Sequence, residues 1–550
     1  MPDHDSVITE ARIVDGCGNP WFWGDIGVRS GRIDTVAKPG SLKGKMTISA
    51  EGRFLTPGFI DVHTHSDLTL LLNQRAESAV RQGVTTQIIG NCGMSPAPVS
   101  EDRLPELRHY WRAIALQPEV TWQWRTFGDF LKTLEANGLG INIGALAGHG
   151  ALRIAVMGFD DRKPDKSEMS LMQGLLSEAM ADGAFGMSTG LVYPPGCFAD
   201  TEEIISLCTV VAEHKGLYAS HIRGERETIL DAVSEAIRIG HEAGVPVQIS
   251  HNAPKFGAPC DAKGNLTLVE EARARGQDVT VDNDVHTDLG VMLRRCLPQR
   301  YREKKIEDVI DVLKDSKARA QIRDDIIADR EPAFGPSGLL KHGCWDRIVI
   351  MHPESDPDIV GKSIEKIAGE RDKDPFDTYF DLIVENGESV MANFDYIDQS
   401  NIEILLKHPA VMITSDGRAL ALSGFLNDPP PYSPCSYGEY PGVLERYVRD
   451  KKVLTLEEAI RKMTSFPAQR FGLANRGIIR TGMQADLVVF DLDRIKDRAT
   501  NLFPHTYPFE NVPHEYPEGI DYVLVNGKVC VENAEHTGRL PGQILRNSTI

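Results

Sequence analysis

The sequence predicts an α/β protein built on a (β/α)8 barrel, and three observations carry that expectation. From about Phe59 onward, short apolar runs alternate with longer amphipathic stretches, the rhythm of strand–helix–strand units in a parallel sheet. Residues able to bind metal or move protons recur just past the ends of those runs, where barrel enzymes place their active groups. Both ends of the chain carry short β-type segments, which supplies a second, smaller unit.

In chain order, residues 7–14, 25–28 and 32–36 read as strands, separated by turns at Cys17-Gly18 and Ser30-Gly31. Barrel strands are expected at 85–89, 141–146, 186–188, 218–221, 247–251 and 279–281. Helices are expected at 201–214 and 225–243, where apolar residues return every three or four positions. The charged, helix-prone stretch at 288–346 breaks this cadence and reads as an insertion before the last barrel strands. DPPPY at 428–432 is stiff and extended and reads as a loop bordering the active face. From Gly477, ADLVVFDL and YVLVNGKVCV return to β character around a proline-rich, aromatic connection at 503–516, and they are placed to complete the N-terminal unit.

The chain has 550 residues, more than a single core of roughly 250–300 usually organises, so a large domain with appended pieces is expected. Hydrophobic residues make up 41% and charged residues 25%, the composition of a folded globular protein. The formal net charge of -19 disfavours binding to nucleic acid or anionic lipid, so an anionic ligand requires a local cationic pocket. The opening MPDHDSVITE lacks the basic and apolar regions of a secretory signal, and the cytoplasm is the default location. The most apolar long stretch, 138–159, is interrupted by Asn142, His149 and Arg153, so no membrane span is expected. Nine scattered cysteines do not form a disulfide framework.

The chemistry-bearing residues lie at strand ends. His63 and His65 stand in FIDVHTHSD, and strand alternation turns residues i and i+2 to one face, where both imidazoles reach one ion. Cys92, in TTQIIGNCGMSP, reads as a thiolate ligand or as a small buried hydrophobe. His221 closes LYASH and His251 closes VPVQISH; singly each suits a packed core histidine, but in strand order they form a series. Asp416, in VMITSDGR, reads as a general base or as a turn or helix-capping carboxylate. Together these side chains make a ligand inventory for one or two zinc ions plus a general base.

Several motifs together resemble the D-aminoacylase (N-acyl-D-amino-acid deacylase) family of the amidohydrolase superfamily: FLTPGFIDVHTHSD, GVTTQIIGNCGMSPAP, GMSTGLVYPPG, SHIRGE, ISHNAPKFG, TSDG and GMQADLVVFD. The resemblance spans nearly the whole chain. It implies a TIM-like barrel, a β-sandwich built from both chain ends and a small inserted domain. The expected divisions are 1–57 and 477–550 for the sandwich, 58–287 and 347–476 for the barrel, and 288–346 for the insert. It also implies a tight zinc site at Cys92, His221 and His251, with His63 and His65 forming a second, often weakly filled one.

The implied activity is zinc-dependent hydrolysis of N-acyl-D-amino acids by a metal-activated water, with Asp416 as general base and Cys92 as ligand rather than acylated nucleophile. The substrate is a small, carboxylate-bearing amide, and assembly as a homo-oligomer is compatible with the sequence. Arg223, Lys255 and Arg418 adjoin the site residues and are candidates to neutralise a carboxylate, although a residue of this kind taken alone is more often a surface charge. His149, in LAGHGALR, is a candidate donor to the substrate carbonyl or a structural cap. The chain departs from the family pattern at three places. Lys255 follows four residues after the histidine of ISH. Asn283, Asp284 and His286 replace a Tyr-Pro-Tyr-like stretch, and Ser433, Pro434 and Cys435 replace His-Pro-Arg. These departures leave room for another amide, carbamate or cyclic-amide substrate, or for a binding homologue without turnover.

Overall fold

The computed structural model describes residues 4–114, 120–302, 304–328, 335–353, 355–422, 434–500 and 515–547. The DPPPY stretch, Ser433 and most of the 503–516 connection lie outside the described residues.

Eight parallel strands form the barrel. They are Phe59–Asp61, Val84–Ile89, Asn142–Ala145 continued by Ala147–Gly148, Gly186–Gly190, Leu217–His221, Val247–Ile249, Val279–Asn283 and Val411–Ile413. Closure between the eighth and first strands runs through their C-terminal extensions: Asp416 N donates to the His63 carbonyl at 3.0 Å, and His65 N donates to the Gly417 carbonyl at 2.8 Å. The strands are buried along their length, as expected where helices cover the outer face. Asp200 caps the helix Thr201–Glu213 by accepting from Glu203 N at 2.9 Å. The helix expected to start at Glu225 instead starts at Ile229, which leaves Glu225 on the loop above the fifth strand.

Strands from both chain ends share one sheet. Phe54–Pro57 pairs antiparallel with Leu487–Phe490 on one side and in parallel with the end of His4–Ile13 on the other. The first half of His4–Ile13 pairs instead with Gly44–Ser49. The switch falls at an irregularity between Ile8 and Ala11, where Glu10 has φ +57°, the kind of bulge that turns a sandwich corner. Ile8, Ile13, Ile26 and Leu55 pack with Leu487, Val489, Leu524 and Val529 in one buried cluster, so neither end folds a core alone.

The insertion is longer than expected. Asp288–Met292, Ile348–His352 and Met391–Asp395 form an antiparallel sheet with Met391–Asp395 in the middle. Its separate core runs from Val291 to Phe394 and includes Trp345, Tyr379 and Phe380. The barrel therefore resumes after residue 395 rather than at 347. The reason for the difference is physical: an apolar strand looks alike in sequence whether its neighbour runs parallel or antiparallel. Among the described residues no helix is long and apolar enough to cross a membrane.

Candidate active site

Barrel closure assembles the site. Asp61, buried at the end of the first strand, accepts from Thr414 Oγ1 at 2.7 Å and from Ser415 N at 3.1 Å. This pins the eighth strand's extension beside the first, so His63, His65 and Asp416 face one another. Cys92 sits on a tight turn after the second strand. Gly90 is needed there because a Cβ would lie 2.1 Å from the Leu146 carbonyl oxygen. Cys92, His251 and Asp416 all hold left-handed backbone, at φ +52°, +31° and +50°. Such conformations in non-glycine residues cost about 1–3 kcal/mol each and persist where the surroundings over-determine them.

The side chains converge. Cys92 Sγ lies 3.1 Å from His63 Nε2, 3.5 Å from His221 Nδ1 and 3.6 Å from His251 Nε2. Asp416 Oδ1 lies 3.1 Å from His65 Nε2 and 3.4 Å from His63 Nε2 without the alignment of a hydrogen bond to either. Three overlapping groups result, each with ligand atoms within 4.8 Å: His63, His65 and Cys92; Cys92, His221 and His251; His63, His251 and Asp416. The imidazoles and the thiol are buried, whereas the Asp416 side chain is 35% exposed.

The charges suit a cation. Burial pushes the Cys92 thiol up, but His63, His221 and His251 overcome it and hold the thiol well below its ordinary value. Burial likewise opposes charge on Asp416, and His63, His65 and His251 hold it well below the usual carboxylate range. His65 and His251 rise to about 9 and about 10 against burial, through Asp416 and Cys92 in the first and Cys92 and Glu225 in the second. Protons on the imidazoles thus stand where a cation would neutralise thiolate and carboxylate.

A further shell of carboxylates backs the cluster. Glu225 Oε1 lies 3.4 Å from His251 Nδ1 and 3.8 Å from His221 Nε2, and Asp282 Oδ1 lies 3.4 Å from His63 Nδ1. Carboxylates so placed stand where hydrogen bonds to the outer ring nitrogens orient histidine ligands at zinc sites, although His63 Nδ1 and His221 Nε2 make none here. Buried N, S and O donors, an unaligned carboxylate oxygen and backed imidazoles together fit zinc.

A family model described as the amidohydrolase family matches residues 46–283 and 362–531. The chain belongs to the amidohydrolase family. The amidohydrolase is 33% identical to a D-aminoacylase of Alcaligenes xylosoxydans xylosoxydans, over 98% of this chain and 97% of that one. It is 32% identical to an N-acyl-D-aspartate deacylase of the same organism, over 98% and 95%. A solved N-acyl-D-glutamate deacylase from Bordetella bronchiseptica, complexed with zinc and a phosphonate inhibitor, superposes with a TM-score of 0.76 at 30% identity, covering 99% of both chains. The amidohydrolase is accordingly a metal-dependent hydrolase on a (β/α)8 barrel.

The remaining residues named from sequence fall in different places. In the amidohydrolase Lys255 borders the cluster, buried, 3.8 Å from Glu225 Oε1 and 5.2 Å from the centre of the Tyr396 ring. Arg223 turns away: it pairs with Glu235 at 2.9 Å and donates to the Ala199 carbonyl at 2.9 Å, tying the helix Ile229–Ala243 to the preceding loop. His149 is sealed from solvent and contacts Glu203 at 2.9 Å, a carboxylate shared with Arg153. Arg418 stands two residues after Asp416, and burial pushes its guanidinium below the ordinary arginine range. Sequence reasoning missed Glu225, Asp282, Tyr193 and Tyr396. Glu225 stands in SHIRGE and Tyr193 in STGLVYPPG, so motif membership was the available signal. Asp282 and Tyr396 carry none.

Proposed function

We propose that this amidohydrolase is a cytoplasmic enzyme that removes the acyl group from N-acyl-D-amino acids, using zinc held by Cys92, His221 and His251, with His63 and His65 as a second locus. The observation that carries the reading is the convergence of Cys92 with four imidazoles beside a partly exposed Asp416. D-selectivity and the N-acyl amino acid class are supported by relatives named for deacylation of N-acyl-D-amino acids over nearly the full length of the chain.

Zinc, when bound, supplies Lewis acidity and brings the pKa of water towards about 7. The chain's own residues do the rest. Asp416 accepts the proton of the attacking water, and its partial exposure lets it face both water and substrate. It then returns that proton to the departing nitrogen, because an unprotonated amide nitrogen is too poor a leaving group to be expelled. Glu225 and Asp282 hold the imidazoles in register while this occurs. The products are a free carboxylic acid and a D-amino acid.

The test is metal analysis of purified protein together with hydrolysis of matched N-acetyl-D- and N-acetyl-L-amino acids. Zinc near one or two per chain with D-selective amine release is expected. Zinc without turnover of any panel member moves the substrate to another amide, and absence of metal sinks the mechanism.

A further inference from the structure

We propose that Arg418 is the anion-binding residue of this pocket and receives the α-carboxylate of the substrate. The inference rests on the substrate class proposed above and deepens it by singling out one cation from three.

Arg223 is held by Glu235 and by the Cys197 and Ala199 carbonyls, all within 3.2 Å. Lys255 lies between the Glu225 carboxylate and the Tyr396 ring, a cation already balanced. Arg418 differs from both. It is only 9% exposed, yet among the described residues its guanidinium makes no ion pair, and its buried Nε has no hydrogen-bond partner. Its main chain is clamped: Arg418 N donates to Ser436 Oγ at 3.0 Å, and its carbonyl accepts from Ser78 Oγ at 3.2 Å. The backbone is therefore satisfied while the charged end is not.

A buried cation without a partner is destabilising, and a fold that retains one has left a place for an anion. The location fits. Arg418 follows Asp416 by two residues, and the Gly417 carbonyl between them accepts from the main-chain N of His65, a member of the ligand cluster, at 2.8 Å. Asp416 makes no ion pair with Arg418, and its Oδ1 is turned to His63 and His65. A guanidinium fork at this position matches a carboxylate bidentately. Cys435 stands next in the chain to Ser436, whose Oγ accepts from Arg418 N at 3.0 Å, so an arginine placed at 435 starts from a neighbouring backbone position.

The experiment compares N-acetyl-D-leucine with N-(3-methylbutyl)acetamide, the same amide without its carboxylate, on zinc-loaded enzyme. The variants are Arg418→Met and the double variant Arg418→Met with Cys435→Arg. Wild type is expected to favour the carboxylate substrate in kcat/KM. Arg418→Met should collapse that preference by about 10–100-fold. The same variant should melt higher, because it removes an unpaired buried charge, and the double variant should restore most of the preference. A preference retained in Arg418→Met, or a lower melting temperature, overturns the assignment. Wild type that hydrolyses the carboxylate-free amide equally well, or neither compound, overturns the substrate reading instead. The melting temperature then decides Arg418, a rise supporting it and a fall overturning it.

Discussion

Asp416 combines two properties: an oxygen within 3.1 Å of one imidazole and 3.4 Å of another, and a side chain partly exposed to solvent. Replacing it with Asn keeps shape but removes the proton acceptor. Asp416→Asn is expected to lower kcat by about 10²–10⁴-fold while zinc content per chain stays within error of wild type, read by metal analysis on the same sample. Glu225 acts differently, through the two imidazoles it backs. Glu225→Gln should weaken zinc binding by about 10–100-fold in a chelator competition, and excess zinc should restore most of the activity. If added zinc restores nothing, Glu225 has a role beyond positioning.

Among the elements, the helices His149–Met157 and Thr201–Glu213 are joined by a buried charge cluster. Glu203 accepts from Arg153 at 2.6 Å and contacts His149 at 2.9 Å, and Arg153 is wholly buried. Burial raises the Glu203 pKa, but His149 and Arg153 reverse this and leave it below the ordinary glutamate value. A folded pKa below the unfolded one stabilises the protein above about pH 4.3, and that stability is lost as pH falls through the folded value. Glu203→Gln strands Arg153, so it should cost about 3–5 kcal/mol in denaturant unfolding at pH 7, with the difference narrowing below about pH 4. An equal cost at both pH values would rule out the ionised carboxylate as its source. The same elements show how far local pattern reaches. The apolar period of Ile229–Ala243 was legible, but its start was not, because Glu225 is as good a first-turn residue as a ligand-backing one.

For the whole molecule, the candidate metal cluster is a cross-brace. Its side chains come from the ends of the first, second, fifth, sixth and eighth strands, so an ion bound among them would tie together segments from His63 to Asp416. Removing zinc with a chelator should lower the melting temperature reversibly, and free zinc at 100 times its Kd should contribute about 2.7 kcal/mol to the folded state. A melting curve indifferent to chelation would mean that the cluster holds no metal that matters to the fold. The insert carries its own core from Val291 to Phe394 and should be the least affected part.

The sequence by itself determined the barrel cadence and the β character of both chain ends, and it singled out His63, His65, Cys92, His221, His251 and Asp416 as candidates that the fold brings together. These are local signals, since an apolar run of strand length followed at once by a ligand-type side chain is written within ten residues. Only the tertiary structure decided which charges remain available. Arg223, Lys255 and Arg418 look equivalent along the chain, yet one is held by Glu235, one is balanced by Glu225 and one is buried without a partner. It also decided that the 348–352 and 391–395 segments leave the barrel for the insert. The reason is the same in both cases. A side chain's chemistry belongs to its residue, whereas its partner, its burial and its strand's neighbour are set by packing between segments distant in the chain.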